Sequence, residues 1–132
     1  MLLIIFLLTS VKLCDAQVYI GKNKDRVRQL MKENRKDLFV DESSRNTVYN
    51  LLKYVDNNGT QTMLFVFDDK DICQYYQLTC DYALLKKIQK ELDEKHTKSE
   101  EGLWHFTEEG KKFQVTLKKQ EWFFSVLTKE VK

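Results

Sequence analysis

The sequence predicts an α+β domain: an antiparallel meander sheet of about six to seven strands, with two helices packed on one face, in the order α-βββ-β-α-βββ. Three observations predict it. Apolar residues recur at helical spacing in two stretches, Val27, Leu30 and Met31, then Leu85, Ile88 and Leu92. Short β-forming runs punctuated by Asn, Asp and Gly lie between and after them. Phe113, Val115 and Leu117 alternate with Gln114, Thr116 and Lys118, as in a strand with one face in the core and one in water. Runs of strands with two helices imply an antiparallel sheet with its helices to one side.

In chain order, Val18 to Ile20 is a short apolar lead-in. Asn23 is placed to cap a helix from Lys24 to about Arg35, with Asp25 in its first turn and Lys32 in its last, as the helix dipole favours. Leu38 to Asp41 reads as a short strand and Glu42 to Asn46 as polar loop. Val48 to Asp56 is a fuller strand. Asn57-Asn58-Gly59 then predicts a type I′ hairpin, because Asn-Gly tolerates the positive φ angles that turn needs. Thr62 to Phe67 is apolar on both parities, as in a central strand. Asp68, Asp69 and Lys70 turn the chain into a strand over Ile72 to Leu78. Asp81 caps the second helix, with Tyr82 and Leu84 widening its apolar stripe. His96 to Glu101 reads as polar loop. Three strands follow, over Leu103–Thr107, around Phe113–Leu117, and over Trp122–Leu127. The second half echoes the first at an offset of about 58 residues, pairing Val27 with Leu85 and Leu30 with Ile88.

The first sixteen residues read as a signal peptide. Leu2 to Leu8 is an apolar run far too short to span a bilayer, and Cys14-Asp15-Ala16 puts small residues before a cut at Gln17. The expectation is an exported chain, periplasmic or secreted. A lipid anchor at Cys14 is the lesser alternative, because Leu13 is bulky where such sites want a small residue. Residues 17–132 then form a single α+β domain, within the usual size of one. Net charge is +2, with both signs interleaved, which argues against nucleic-acid binding and against a polybasic membrane tail. No transmembrane segment is expected.

Catalytic constellations are missing from the sequence. His96 and His105 share no metal-ligand spacing with each other or with cysteines, so no metal and no cofactor is expected. Asp68, Asp69 and Asp71 cluster, but Lys70 interrupts them and the glycine and closing glutamate of a calcium loop are absent. They read as a solvated turn. Glu42-Ser43-Ser44 has no nucleophile-elbow context. Cys73 and Cys80 are a possible disulfide in an exported chain, or two buried thiols. A bond requires the strand to end near Leu78 and the chain to turn back. Asn58-Gly59-Thr60 is a formal glycosylation sequon, and equally a hairpin turn.

Aromatic residues, 12% of the chain, are the one conspicuous class. Tyr75, Tyr76, Trp104, Trp122 and Phe123 are the candidate binding residues, since a sheet face left bare of helices would expose some of them. Gly21-Lys22-Asn23-Lys24-Asp25-Arg26-Val27-Arg28-Gln29-Leu30-Met31 resembles the opening of a family of small envelope domains. That family comprises the β-lactamase-inhibitor-protein group and the small lipoprotein of the outer-membrane assembly machine. The resemblance implies a glycine, a polar cap and a Val-x-x-Leu helix leading into an antiparallel meander. It also implies a non-enzymatic bacterial envelope module acting through its sheet.

The expectation is therefore a small exported binding or interaction module, not an enzyme, that recognises a protein or envelope component through an aromatic sheet face. Three alternatives stand beside it: an enzyme inhibitor acting through a hairpin turn, an enzyme using a carboxylate cleft, and a structural envelope component. Oligomeric state is left open.

Overall fold

The computed structural model describes residues 18–42 and 49–132. The leader reading, Cys14 included, the polar loop at 43–46 and the first residue of the strand expected from Val48 lie outside them. The elements are α1 (Lys24–Asn34), β1 (Phe39–Val40), β2 (Leu51–Val55), β3 (Gln61–Phe67), β4 (Cys73–Cys80), a 3-10 turn (Tyr82–Leu84), α2 (Leu85–Lys95), β5 (Thr97–Glu100), β6 (Leu103–Glu108), β7 (Lys111–Lys119) and β8 (Phe124–Val131). The class is α+β. The strands form one sheet in the order β1-β2-β3-β4-β8-β7-β6-β5, and every pairing is antiparallel.

Three expectations change. The sheet has eight strands among the described residues, not six or seven, because Thr97–Glu100 is a strand rather than loop. All four of its residues are exposed, so no apolar alternation marks it; pairing of Thr97 with His105 and Lys98 with Trp104 makes it a strand. The order is α-ββββ-α-ββββ, two helix-plus-four-strand halves joined where β4 meets β8. Lys24 and Leu85 open the two helices, so Val27 and Met31 correspond to Ile88 and Leu92, and the pairing of Val27 with Leu85 and Leu30 with Ile88 does not hold.

The helix starts follow the sequence. The Asn23 side chain accepts the Arg26 N–H at 2.8 Å, satisfying a donor that a helix start leaves unpaired. Asp81 accepts the Ala83 N–H at 2.8 Å and caps the 3-10 turn that leads into α2. The β2–β3 turn is not type I′. Only Gly59 has positive φ there, at 72°, and the Asp56 N–H reaches past four residues to the Gln61 carbonyl at 3.3 Å. The Asp56 carboxylate holds this longer loop by accepting from the N–H groups of Thr60 (2.9 Å) and Gln61 (3.1 Å) and from the Thr60 hydroxyl.

Register decides the faces. Directly opposed residues share a face: Met63 with Leu78, Leu78 with Val126, Val126 with Leu117, Trp104 with Val115. These residues, with Leu52, Tyr54, Phe65, Cys80, Phe113 and Phe124, form the helix-covered face. Val27, Leu30 and Met31 of α1 pack on the first half, and Leu85, Ile88 and Leu92 of α2 on the second. Leu78 and Phe106 touch both clusters. The lead-in closes the first cluster: Tyr19 meets Phe65 and Tyr76 edge-on, each at 5.2 Å between ring centres. The Trp104 Nε1–H donates to Asp93 at 2.9 Å, fixing α2 over β6.

Of the two readings of the cysteines, the buried thiols hold. Cys73 and Cys80 are free, buried thiols at opposite ends of one continuous strand. An offset of seven strand residues sets them about 23 Å apart, far beyond disulfide reach. Burial pushes the Cys73 thiol up to about 12 and the Cys80 thiol to about 11. The native protein will therefore react slowly with a disulfide reagent at pH 8 and fully, at two thiols beyond any contributed by Cys14, once denatured; fast native labelling would contradict this burial. Phe65 is fully buried among three aromatic partners. Phe65→Ala should lower stability by about 3–5 kcal/mol in a urea titration.

Candidate functional site

The sheet face opposite the helices and a cleft between the helices and the sheet are both open to other molecules.

The open face carries Leu51, Lys53 and Val55 of β2, Thr62, Leu64 and Val66 of β3, and Tyr75, Gln77 and Thr79 of β4. Ser125, Leu127 and Lys129 of β8 continue it, followed by Lys112, Gln114, Thr116 and Lys118 of β7 and Leu103, His105 and Thr107 of β6. No element among the described residues lies over it. Its apolar members on the inner strands, Leu51, Val55, Leu64, Val66, Leu103 and Leu127, are half-buried, while Phe39, opposite Val55, and Val131, opposite Lys112, are exposed. Across β2–β4 and β6–β8 this face bears Lys53, Lys112, Lys118 and Lys129 but no Asp or Glu. Lys53 is tied to Asp41 at 3.4 Å. Lys129 stands beside Tyr75, its direct cross-strand neighbour.

The five aromatic candidates divide. Tyr75 is on the open face and 42% exposed. Trp122 and Phe123 occupy the turn between β7 and β8, where Trp122 is 79% exposed and Phe123 41%. Tyr76 and Trp104 do not reach this surface. Both have the parity that faces the helices: Trp104 is 1% exposed in the second core cluster, and Tyr76 packs on Phe65. Tyr75 and Phe123 are not brought together. Tyr75 is opposite Lys129 and Cys80 opposite Phe124, so the two aromatics sit at opposite ends of the face, about 16 Å apart. The residues that sequence reading missed are the apolar and lysine members of the open face. Alternation within β7 and β8 was the signal for them.

The acidic turn is self-satisfied. The Asp68 carboxylate accepts from the N–H groups of Lys70 (2.8 Å) and Ile72 (3.0 Å) and from the Gln74 amide (3.1 Å). Asp71, at φ 62°, takes the Asn50 amide at 2.5 Å and lies 3.9 Å from the Lys24 ammonium. Among the described residues no group of three His, Cys, Asp or Glu side chains is placed to hold a metal ion. The two histidines lie on opposite sides of the sheet. His105 bonds Ser99, and His96 stacks on Phe106 of the covered face at 4.3 Å.

The cleft, of about 300 Å³, opens between the C-terminal halves of α1 and α2. Its floor is Met63, Leu78, Val115 and Val126, with the hydrogen-bonded side chains of Tyr76 and Thr128. Its walls are Arg35 on one side and Ile88, Glu91, Leu92, Lys95 and His96 on the other. The Arg35 guanidinium is occupied by Asp37, at 3.0 and 3.1 Å, and by the Gln61 side chain at 3.0 Å. Among the described residues that line the cleft, Glu91 is the one carboxylate, so no carboxylate pair converges there. Burial, then the neighbouring Lys95 charge, lower the His96 pKa and outweigh the Lys95 backbone, which raises it. His96 Nδ1 is buried and has no hydrogen-bond partner among the described residues.

Compared with protein-family models, with curated proteins and with solved structures, the chain matches none. Among the described residues no helix is long and apolar enough to cross a membrane.

Three loop carboxylates set the acid response. Hydrogen bonds from the Ile72 and Lys70 backbone hold Asp68 low. Burial raises Asp56, but its bonds from Thr60 and Gln61 outweigh this and lower it, and the Arg35 hydrogen bond lowers Asp37. A depressed folded pKa gives stability that is present above the unfolded value, about 3.9, and lost as pH falls through the folded one. The melting temperature should decline slightly as pH falls below about 6.5, where His96 resists its proton, and more steeply below about pH 4. Calorimetry of Asp56→Ala should show a lower melting temperature at pH 7 and a shallower acid decline; an unchanged acid decline would contradict the assignment.

Proposed function

We propose that this is a non-enzymatic binding module whose open sheet face takes an acidic surface of a protein partner. The observation behind this reading is the charge pattern of that face: its six inner strands carry four lysines and no carboxylate, interspersed with apolar residues, and its margins add only Asp41, which holds Lys53, and Glu100, opposite Leu103. Its area suits the role. Six strands by about six residues is roughly 30 Å by 20 Å, or about 600 Å², near the roughly 800 Å² each partner contributes to a standard interface. Half-buried Leu51, Leu64, Val66 and Leu127 supply apolar contact, Tyr75 an aromatic one, and the lysines steering and orientation. Trp122 and Phe123 extend the surface at one end, where an exposed aromatic pair suits an anchoring contact.

The module acts outside the cytoplasm, exported by the leader at residues 1–16. The envelope as its place rests on the resemblance around Gly21–Met31. A structural envelope role differs in needing self-association, which sedimentation distinguishes.

Capture from a periplasmic extract on the immobilised protein tests the reading. A retained acidic protein should be released by raised salt and lost with Lys112→Glu/Lys118→Glu/Lys129→Glu and with Tyr75→Ala. These exposed or half-exposed sites should leave stability within about 0.5 kcal/mol per substitution. Retention untouched by the charge reversal would overturn it.

A further inference from the structure

The cleft between the two helices is larger than a packing defect. Protein interiors seldom hold voids bigger than a water molecule, and an engineered cavity of about 150 Å³ already binds benzene. This one measures about 300 Å³, the lower end of the range for small-molecule sites. At about 30 Å³ per water-sized unit it has room for roughly ten non-hydrogen atoms.

Its lining defines what would fill it. Leu78, Val126, Ile88 and Leu92 give an apolar interior. The charges at its mouth are balanced. Arg35 is held by Asp37, and Glu91 and Lys95 stand four residues apart on α2, the spacing at which a glutamate and a lysine offset each other. Both helices also present their C-terminal ends here, and the partial negative charge of those ends opposes an anion. A charged head group of either sign thus gains little. One buried polar side-chain atom of the lining has no hydrogen-bond partner among the described residues: Nδ1 of His96, whose ring is fixed by stacking on Phe106, while the Asn34 amide sits at the exposed mouth. The Tyr76 hydroxyl and Thr128 satisfy each other. In one tautomer His96 Nδ1 donates, and in the other it accepts.

We propose that this cleft binds a small uncharged, mostly apolar molecule carrying one hydroxyl or carbonyl group that hydrogen-bonds His96 Nδ1. An alcohol, ketone or phenol of about eight to ten heavy atoms fits the volume and the one unpaired buried nitrogen.

Calorimetric titration of the full chain with 1-octanol, octanoate and octylammonium tests this. Octanol should bind saturably, with Kd below about 1 mM, and raise the melting temperature. Octanoate and octylammonium should each bind at least about tenfold more weakly. His96→Phe keeps a ring on Phe106 but removes the nitrogen, and should weaken octanol about three- to tenfold. Leu92→Trp fills the cleft and should abolish octanol binding with the melting temperature kept or raised. If it fails to fold, Ile88→Phe serves the same purpose. No saturable heat with octanol would leave the cleft a packing void and overturn the proposal. Octanoate binding as tightly as octanol, or octanol binding unchanged in the filled variant, would overturn it equally.

Discussion

The rest of the structure depends on the ladder between β4 and β8. Each half is a helix and four antiparallel strands, and neither half's sheet touches the other except along Tyr75–Cys80 and Phe124–Lys129. Side chains alternate strictly along a strand, so this one register fixes the faces of both halves at once. With Leu78 opposite Val126 and Cys80 opposite Phe124, the apolar parity of the second half falls on the same side as that of the first. A slip of one residue would turn Phe124 and Val126 away from α2 and set Leu127 beneath the helices. The same pairing places both helices on one side and leaves the other bare, so the open face and the inter-helix cleft have a single structural cause.

Much of this was legible in the sequence, and what was not has physical reasons. Both helices could be read from their caps, Asn23 and Asp81, and from their apolar spacing; β7 showed in its alternation. The edge strand β5 could not be, because Thr97-Lys98-Ser99-Glu100 lies outside the core and is held by backbone pairing alone. The Asn-Gly turn misled because the carboxylate of Asp56 stabilises a longer loop than the two central residues suggest. Tyr75 and Tyr76 are adjacent and chemically alike, and only the β3–β4 and β4–β8 registers tell which faces the helices. The bulge between Val66 and Phe67 adds to this ambiguity, since it shifts the parity that Cys73 would otherwise have. Trp104, read as a candidate binding residue, has its indole N–H taken by Asp93 and its ring in the core.

The cleft follows from the two-fold arrangement of the chain. Each helix packs on its own half, and the floor between them is the seam, where Leu78, Val126, Tyr76 and Thr128 meet. Arg35 and His96 are the C-cap residues of α1 and α2, so equivalent places in the two halves face one another across the gap. Their roles have diverged. Arg35 is spent on Asp37 and Gln61, linking α1 to the start of β3, while His96 has one ring nitrogen with no partner among the described residues. Closing the gap would require one helix to move off its own apolar stripe, exposing Ile88 and Leu92 or Val27 and Met31. Those contacts are worth more than the dispersion gained by filling the seam.

Association through the sheet must use either an edge or the face, and the edges are poor templates. At one end β1 is two residues long. At the other, β5 carries Lys98 and Glu100, and a register shift between them breaks its ladder. Short, charged and irregular edges are the usual obstacles to strand addition. The face has no such obstacle. Its half-buried leucines and valine are shielded by threonine, glutamine and lysine side chains whose stems lie across apolar neighbours while their ends reach water. Such a surface stays solvated alone and gives up little when a complementary surface displaces that water, because the polar ends sit at the points where carboxylates of a partner would meet them. The geometry that keeps the sheet from pairing through its edges therefore leaves the face as its open surface, with Tyr75 and Lys129 at one end of its middle strands.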